Sequence, residues 1–254
     1  MQVKIYQTYF QEDQLQFLDP AFVPNNNVEN RYPHFHEYPL IKDLYSKMSD
    51  FDGHWGMVSW RWKEKTHLEG KLYLDWINNN PGYDVYFINP FMEVPANHPN
   101  VFHHGECCHG GMIDVYMNRL LKLLNVEMNL RTEHFPLEYF ITCHYYVGNK
   151  KFWNGWMPFL EKCIQLSYND PMMNEYMFHT TTYYRNSYKI CFPFVVERLI
   201  NLYLYLYREF KIAYYSYEEP CFKEYKLFNQ SIGNVRIKQG GEIPAIPTFV
   251  KPLG

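Results

Sequence analysis

The chain has 254 residues, 47% hydrophobic and 19% aromatic, with 24 Lys and Arg against 27 Asp and Glu for a net charge of -3. That size and apolar share suit one large domain, or a domain with a modest appendage. Scattered, balanced charge excludes a dedicated nucleic-acid binder, which concentrates cations on one surface. No apolar run reaches the roughly 18 residues that span a bilayer.

Residues 3–9 read as a first strand, and Val3-Lys4-Ile5-Tyr6 already has core character, so no secretory leader is expected. Residues 19–39 are rich in Pro, Asn and His and read as a long loop. A short helix is predicted over 40–48 and a strand over 56–60. A helix over 68–77 follows, with Thr66 as its cap and Glu69 in its first turn. Asn78-Asn79-Asn80-Pro81-Gly82 ends it, and 83–88 is a strand. This strand, helix, strand succession predicts parallel pairing. Helical spacing of Ile113, Met117, Leu120, Leu121 and Leu124 predicts a helix over 112–124. A strand over 139–147, an amphipathic helix over 152–166, a helix over 194–210 opened by Pro193 and a late strand over 212–216 complete the pattern. From Ile232 onward Gly and Pro dominate, so 1–216 is expected to be the domain and 217–254 an extended tail. The six cysteines (Cys107, Cys108, Cys143, Cys163, Cys191 and Cys221) contain no C-x-x-C, and reduced thiols in a cytoplasm are expected.

Four stretches carry candidate chemistry. In an open α/β sheet, ligands sit beyond the carboxyl ends of the strands. Trp60-Arg61-Trp62-Lys63-Glu64-Lys65 lies there, offering aromatic plates and cations suited to a sugar and a diphosphate. It reads equally as core tryptophans with solvated charges. Asn89-Pro90 ends the third strand, either as a sugar contact or as a simple turn. His103-His104-Gly105-Glu106-Cys107-Cys108-His109-Gly110-Gly111 gathers His and Glu in what reads as a loop, and its spacing matches no zinc pattern. Glu106, His104 or His109 is a candidate general base there. Glu197 and Arg198 form either an ion pair or part of a site floor. The chain has no G-x-S-x-G, Walker loop or G-x-G-x-x-G.

Taken together, G-x-V-S-W-R-x-K-E-K-T from Gly56, Y-D-V-Y-F-x-N-P from Tyr83, G-E-x-x-H-x-G from Gly105, the run from Cys143 to Trp153 and Glu197-Arg198-Leu199 resemble a known group. They are similar to bacterial GT-A-type glycosyltransferases of capsule and lipopolysaccharide clusters, over residues 3 to 216. The resemblance implies a three-layer, Rossmann-like α/β domain with a mostly parallel central sheet. It implies transfer of a sugar from a nucleotide-activated donor to a glycan or glycolipid hydroxyl, and a place in the cytoplasm or at the inner membrane face. It sets Gln7 and Thr8 near the nucleotide, Arg61 and Lys63 near the diphosphate, and Trp60 and Asn89 near the sugar. Glu197 and Arg198 belong to the same expected binding surface. The chain departs from the group in lacking a D-x-D after the third strand, because its nearest acid, Asp84, stands at the beginning of that strand, on the wrong end. No metal ligand is therefore assigned, and dependence on manganese or magnesium stays open. A non-catalytic sugar-binding subunit and a metal hydrolase using residues 103–109 are the rival readings.

Overall fold

The structure is a computed structural model, which describes residues 1–183 and 187–215. In chain order the strands and helices are β1 (Val3–Tyr9), β2 (Val23–Asn26), α1 (Tyr38–Lys47), β3 (His54–Ser59), α2 (Trp62–Thr66), α3 (Gly70–Asn79), β4 (Val85–Phe87), α4 (Glu93–Asn97) and α5 (Val101–His109). A π-helical turn over Met112–Met117 leads into α6 (Asn118–Leu123). Then come β5 (Tyr146–Gly148), α7 (Lys150–Asn169), α8 (Pro171–Phe178), β6 (Thr180–Tyr183), β7 (Ser187–Ile190), α9 (Phe192–Leu206) and β8 (Ile212–Tyr214). The predicted tail over 217–254, Cys221 and the last residue of the predicted 212–216 strand lie outside the described residues.

Among the described residues six strands form one sheet in the order β2-β1-β3-β5-β4-β8, and β6 pairs with β7 in a separate hairpin. β5 is antiparallel to β3 and to β4, while β1 pairs in parallel with β2 and β3, and β4 with β8. The expected mostly parallel α/β sheet is present. The expected parallel neighbours β3 and β4 share a direction, but β5 stands between them. Gly56 makes that insertion sterically feasible, because a Cβ there would lie 2.1 Å from the Tyr146 carbonyl oxygen.

Strand alternation divides the core into two layers. Trp55, Met57, Val85, Phe87 and Tyr146 face a large cluster that includes Ile41, Phe102, Leu120, Trp156, Met173 and Leu199. Val58, Tyr86, Ile88, Tyr145 and Val147 face a smaller cluster with Trp62, Tyr73 and Ile77. The result is the three-layer arrangement, with α2 and α3 on one face and the remaining large helices on the other.

Several boundaries differ from the sequence expectation. The 19–39 loop contains β2, which continues the sheet beyond β1. Thr66 does not cap α3; it closes α2, its hydroxyl donating to the Trp62 carbonyl and accepting from Leu68 N–H. The predicted 139–147 strand shrinks to Tyr146–Gly148. Residues before it satisfy their backbone otherwise: the buried Asn201 side chain accepts from Ile141 N–H at 2.6 Å and donates to Ile141 C=O at 2.9 Å. An amide side chain thus replaces a neighbouring strand. The stretch from His103 is helix rather than loop, because Asn100 caps α5 by accepting from Phe102 N–H and His103 N–H. Glu175 lies within α8, and Asp170 caps it by accepting from Met172 N–H and Met173 N–H. No helix among the described residues is long and apolar enough to cross a membrane.

Candidate functional site

β1 is flanked by β2 on one side and β3 on the other, so the order in which strands are added to the sheet reverses at β1. A crevice at such a point, beyond the carboxyl ends of the strands, is where α/β sheets hold ligands. Gln7, near the carboxyl end of β1, is fully buried. Its Oε1 accepts from Asp19 N–H at 2.6 Å and its Nε2 donates to the Ser59 carbonyl at 3.3 Å. The Thr8 hydroxyl accepts from Asn25 Nδ2 at 2.9 Å. Asn25 in turn lines a polar cleft of about 590 Å³ that also includes Asn27, Tyr32, His36, Asp43 and Lys47. His36 has a left-handed backbone, with φ of 49°, and its Nε2 is buried without a hydrogen-bond partner. A strained non-glycine residue with an orphan polar atom fits a ligand contact. Burial lowers the pKa of His36, which keeps the ring neutral and able to use that nitrogen as either donor or acceptor.

The next residue, Glu37, leads from the cleft to a second group of side chains. Lys65, at the end of the turn that follows β3, holds its ammonium between two rings, 5.7 Å from the Phe91 centroid and 5.5 Å from that of Tyr145. Its Nζ also lies 3.7 Å from Cys143 Sγ. Burial works against the Lys65 charge, but Cys143, Tyr145, Glu197 and Glu37 outweigh it and raise its pKa above the ordinary lysine value. Burial pushes the Cys143 thiol up to about 12 despite Lys65, and burial likewise raises Tyr145. Both therefore keep their protons at neutral pH.

Glu197 is the most perturbed carboxyl of the group. Burial pushes its pKa up to about 7; Arg198 and Lys65 pull it down and Glu37 pushes it further up. Its side chain keeps 24% of its surface exposed. A carboxyl poised near neutrality beside a fixed cation is suited to taking and returning a proton.

Arg198, next in sequence, has the opposite character. Nε donates to the Val101 carbonyl at 3.0 Å, one terminal nitrogen donates to the Phe194 carbonyl at 2.9 Å, and the other meets His104 Nδ1 at 3.3 Å. Gly105 allows this approach, since a Cβ there would stand 2.9 Å from Nε. A guanidinium only donates, so His104 Nδ1 accepts and the His104 hydrogen sits on Nε2, facing Cys108 Sγ at 3.3 Å. Burial and Arg198 push His104 down to about 3, and they push His109 down to about 4. His109 stacks on Phe194 with centroids 4.0 Å apart, and its Nδ1 is 3.3 Å from the Thr181 hydroxyl. Both imidazoles are neutral in solution near pH 7.

The other residues singled out from sequence hold local structure. Glu106 accepts from Gly111 N–H and Ile113 N–H, capping the turn that follows α5. Asn89 donates to the Phe140 carbonyl at 3.1 Å, and its Oδ1 accepts from Phe91 N–H and the Thr142 hydroxyl. Trp60 packs against Phe17. Arg61 makes a two-bond contact with Glu64, and Lys63 pairs with Glu69 on the surface. Arg61 and Lys65 are one helical turn apart and so share a face.

No protein-family model matches the sequence, and no curated protein is similar to it in sequence. Among solved structures, the apo structure of the bifunctional glycosyltransferase WbbM is similar over 85% of this chain, at 11% identity and a TM-score of 0.44. The chain spans 44% of the length of that structure. A likeness at that distance assigns no residue role.

Sequence reading overlooked Lys65, Glu37, Tyr145 and the His36 cleft. The predicted strand stops at residue 60, and no conformation is assigned from sequence to residues 61–65. As a helical turn, the same residues put Lys65 directly above Arg61. Glu37 and His36 lie in a segment whose composition alone reads as surface loop. Only the fold brings it to the carboxyl edge of the sheet.

Proposed function

We propose that this chain is a glycosyltransferase that uses a nucleotide-activated donor. The feature that supports the reading is the Lys65 ammonium, caged by Phe91 and Tyr145 in the turn that follows β3, under the electrostatic influence of the Glu197 carboxyl. The donor nucleoside occupies the His36 cleft, whose volume falls in the range of small-ligand sites. Its diphosphate extends past Glu37 to Lys65, with Arg61 on the same face of that helical turn. Arg61 pairs with Glu64 on that turn.

In the transfer step the acceptor hydroxyl oxygen bonds to the anomeric carbon, and the bond from that carbon to the diphosphate oxygen breaks. The hydroxyl proton passes to the Glu197 carboxylate, and the departing diphosphate takes the electron pair next to Lys65. Glu197 takes the base role ahead of Glu106, His104 and His109, whose acceptor atoms serve local hydrogen bonds or whose rings resist protonation. Arg198 acts as a positioning residue, holding α5 against α9. The acceptor class is a hydroxyl of a bacterial surface glycan of the capsule or lipopolysaccharide kind, reached by peripheral contact at the inner membrane face.

The test is calorimetric titration of the chain with a panel of nucleotide sugars, with and without manganese. At least one donor is expected to bind, and Lys65→Met is expected to weaken it by about tenfold or more, as loss of a charge-assisted contact does. Failure of every donor to bind, or unchanged affinity in Lys65→Met, would overturn the assignment.

A further inference from the structure

We propose that His98, His103 and Cys107 form a binding site for a thiophilic divalent cation, with zinc as the metal they fit best. One ligand atom from each of these residues lies within 4.8 Å of the other two. His103 and Cys107 are four residues apart on α5 and so lie on one helix face. His98 reaches them from the end of α4, across the short turn that Asn100 caps.

The spacing is close to what chelation requires. His98 Nδ1 and His103 Nδ1 are 3.0 Å apart, and Cys107 Sγ is 3.9 Å from His103 Nδ1. A tetrahedral zinc with ordinary bond lengths needs about 3.4 Å between two nitrogens and about 3.6 Å between nitrogen and sulfur. For these two pairs, shifts of less than about 0.5 Å, within the reach of side-chain torsions, reach the chelating distances, and the third edge, from His98 to Cys107, is within 4.8 Å. Both rings are half-buried and the thiol is exposed, so a cation has an entry path and the site has shelter. Two nitrogens and one thiolate are a borderline-soft donor set, which favours zinc over magnesium or calcium.

Three protein ligands leave the fourth tetrahedral position to water or another small ligand. The neighbouring pair, His104 and Cys108, is committed differently, because Arg198 occupies His104 Nδ1. Sequence spacing concealed the site: read as a loop, residues 103–109 offer no ligand pattern, and His98 lies outside them. The proposal is independent of the transfer reading, since its ligands are separate from Lys65, Glu197 and His36.

The test loads chelator-stripped full-length protein with cobalt(II) and with zinc, and follows both by absorbance and competitive titration. One equivalent of cobalt is expected, with a sulfur-to-cobalt charge-transfer band that zinc abolishes. Cys107→Ser should remove the band, and His98→Ala should weaken zinc by more than about 100-fold, beyond the loss caused by outer-sphere changes. Cys108→Ser should keep both the band and the affinity, which guards against a general folding effect. Absence of stoichiometric binding, or a band that survives Cys107→Ser and disappears in Cys108→Ser, would overturn the site.

Discussion

Glu197 and Arg198 are neighbours in the chain with opposite relations to solvent. Adjacent helical positions point about 100° apart, so one can line a site while the other ties two helices together. Arg198 is buried and spends its donors on two carbonyls and His104. Glu197 bears the cost of sitting in the same low-dielectric neighbourhood with a raised pKa. Its folded pKa of about 7 lies above the ordinary value of 4.5, so the unfolded chain releases this proton first. Its stability contribution is full below about pH 4.5 and is lost as pH rises through about 7. Urea unfolding of wild type and Glu197→Gln at matched pH isolates this group from the buried histidines, whose lowered pKa values act in the opposite sense. The wild-type protein is expected to lose on the order of 3 kcal/mol relative to the variant between pH 4.5 and 8. A difference that stays flat with pH would show that the carboxyl is not perturbed.

At the scale of elements, the most informative departure is the stretch before β5. Its apolar residues read as a long strand, and the physical expectation behind that reading was correct: the segment is buried. What periodicity could not supply was the partner. Ile141 finds it in the Asn201 side chain of α9, sixty residues away. Asn201→Ala leaves a buried N–H and C=O unpaired and is expected to destabilise the fold by on the order of 3 kcal/mol in urea unfolding. A change below about 0.5 kcal/mol would mean that this backbone is paired elsewhere. Strand and helix existence was otherwise legible, because β1, β3, β4, α7 and α9 carry clear apolar patterns. Boundaries set by side-chain caps, such as Asn100 on α5, were not. A single capping asparagine turns an apparent His-rich loop into a helix and changes which of its ligands share a face.

At the scale of the whole molecule, the sheet brings distant segments to one edge. The Glu197 carboxyl comes from more than a hundred positions beyond the His36 cleft and the Lys65 cage. The sequence reading set the candidate site at the carboxyl ends of β1, β3 and β4. It could not separate residues that build this edge, such as Gln7 and Asn89, from residues left available on it. Hydrogen-bond occupancy makes that distinction, and occupancy is a property of the folded chain. A polar residue quoted from a motif can be fully engaged in closing a loop. An inconspicuous lysine can be the cation that faces the ligand.

The pH dependence of sugar transfer in the wild-type protein and in Glu197→Gln tests the account most directly, once a bound donor is in hand. The wild-type rate is expected to rise with pH through about 7, as Glu197 loses its proton. Glu197→Gln is expected to lower the rate by about 100-fold or more while donor affinity stays within about twofold. A variant that transfers sugar at the wild-type rate, or a wild-type chain that binds the donor and transfers nothing to any glycan acceptor, would contradict it.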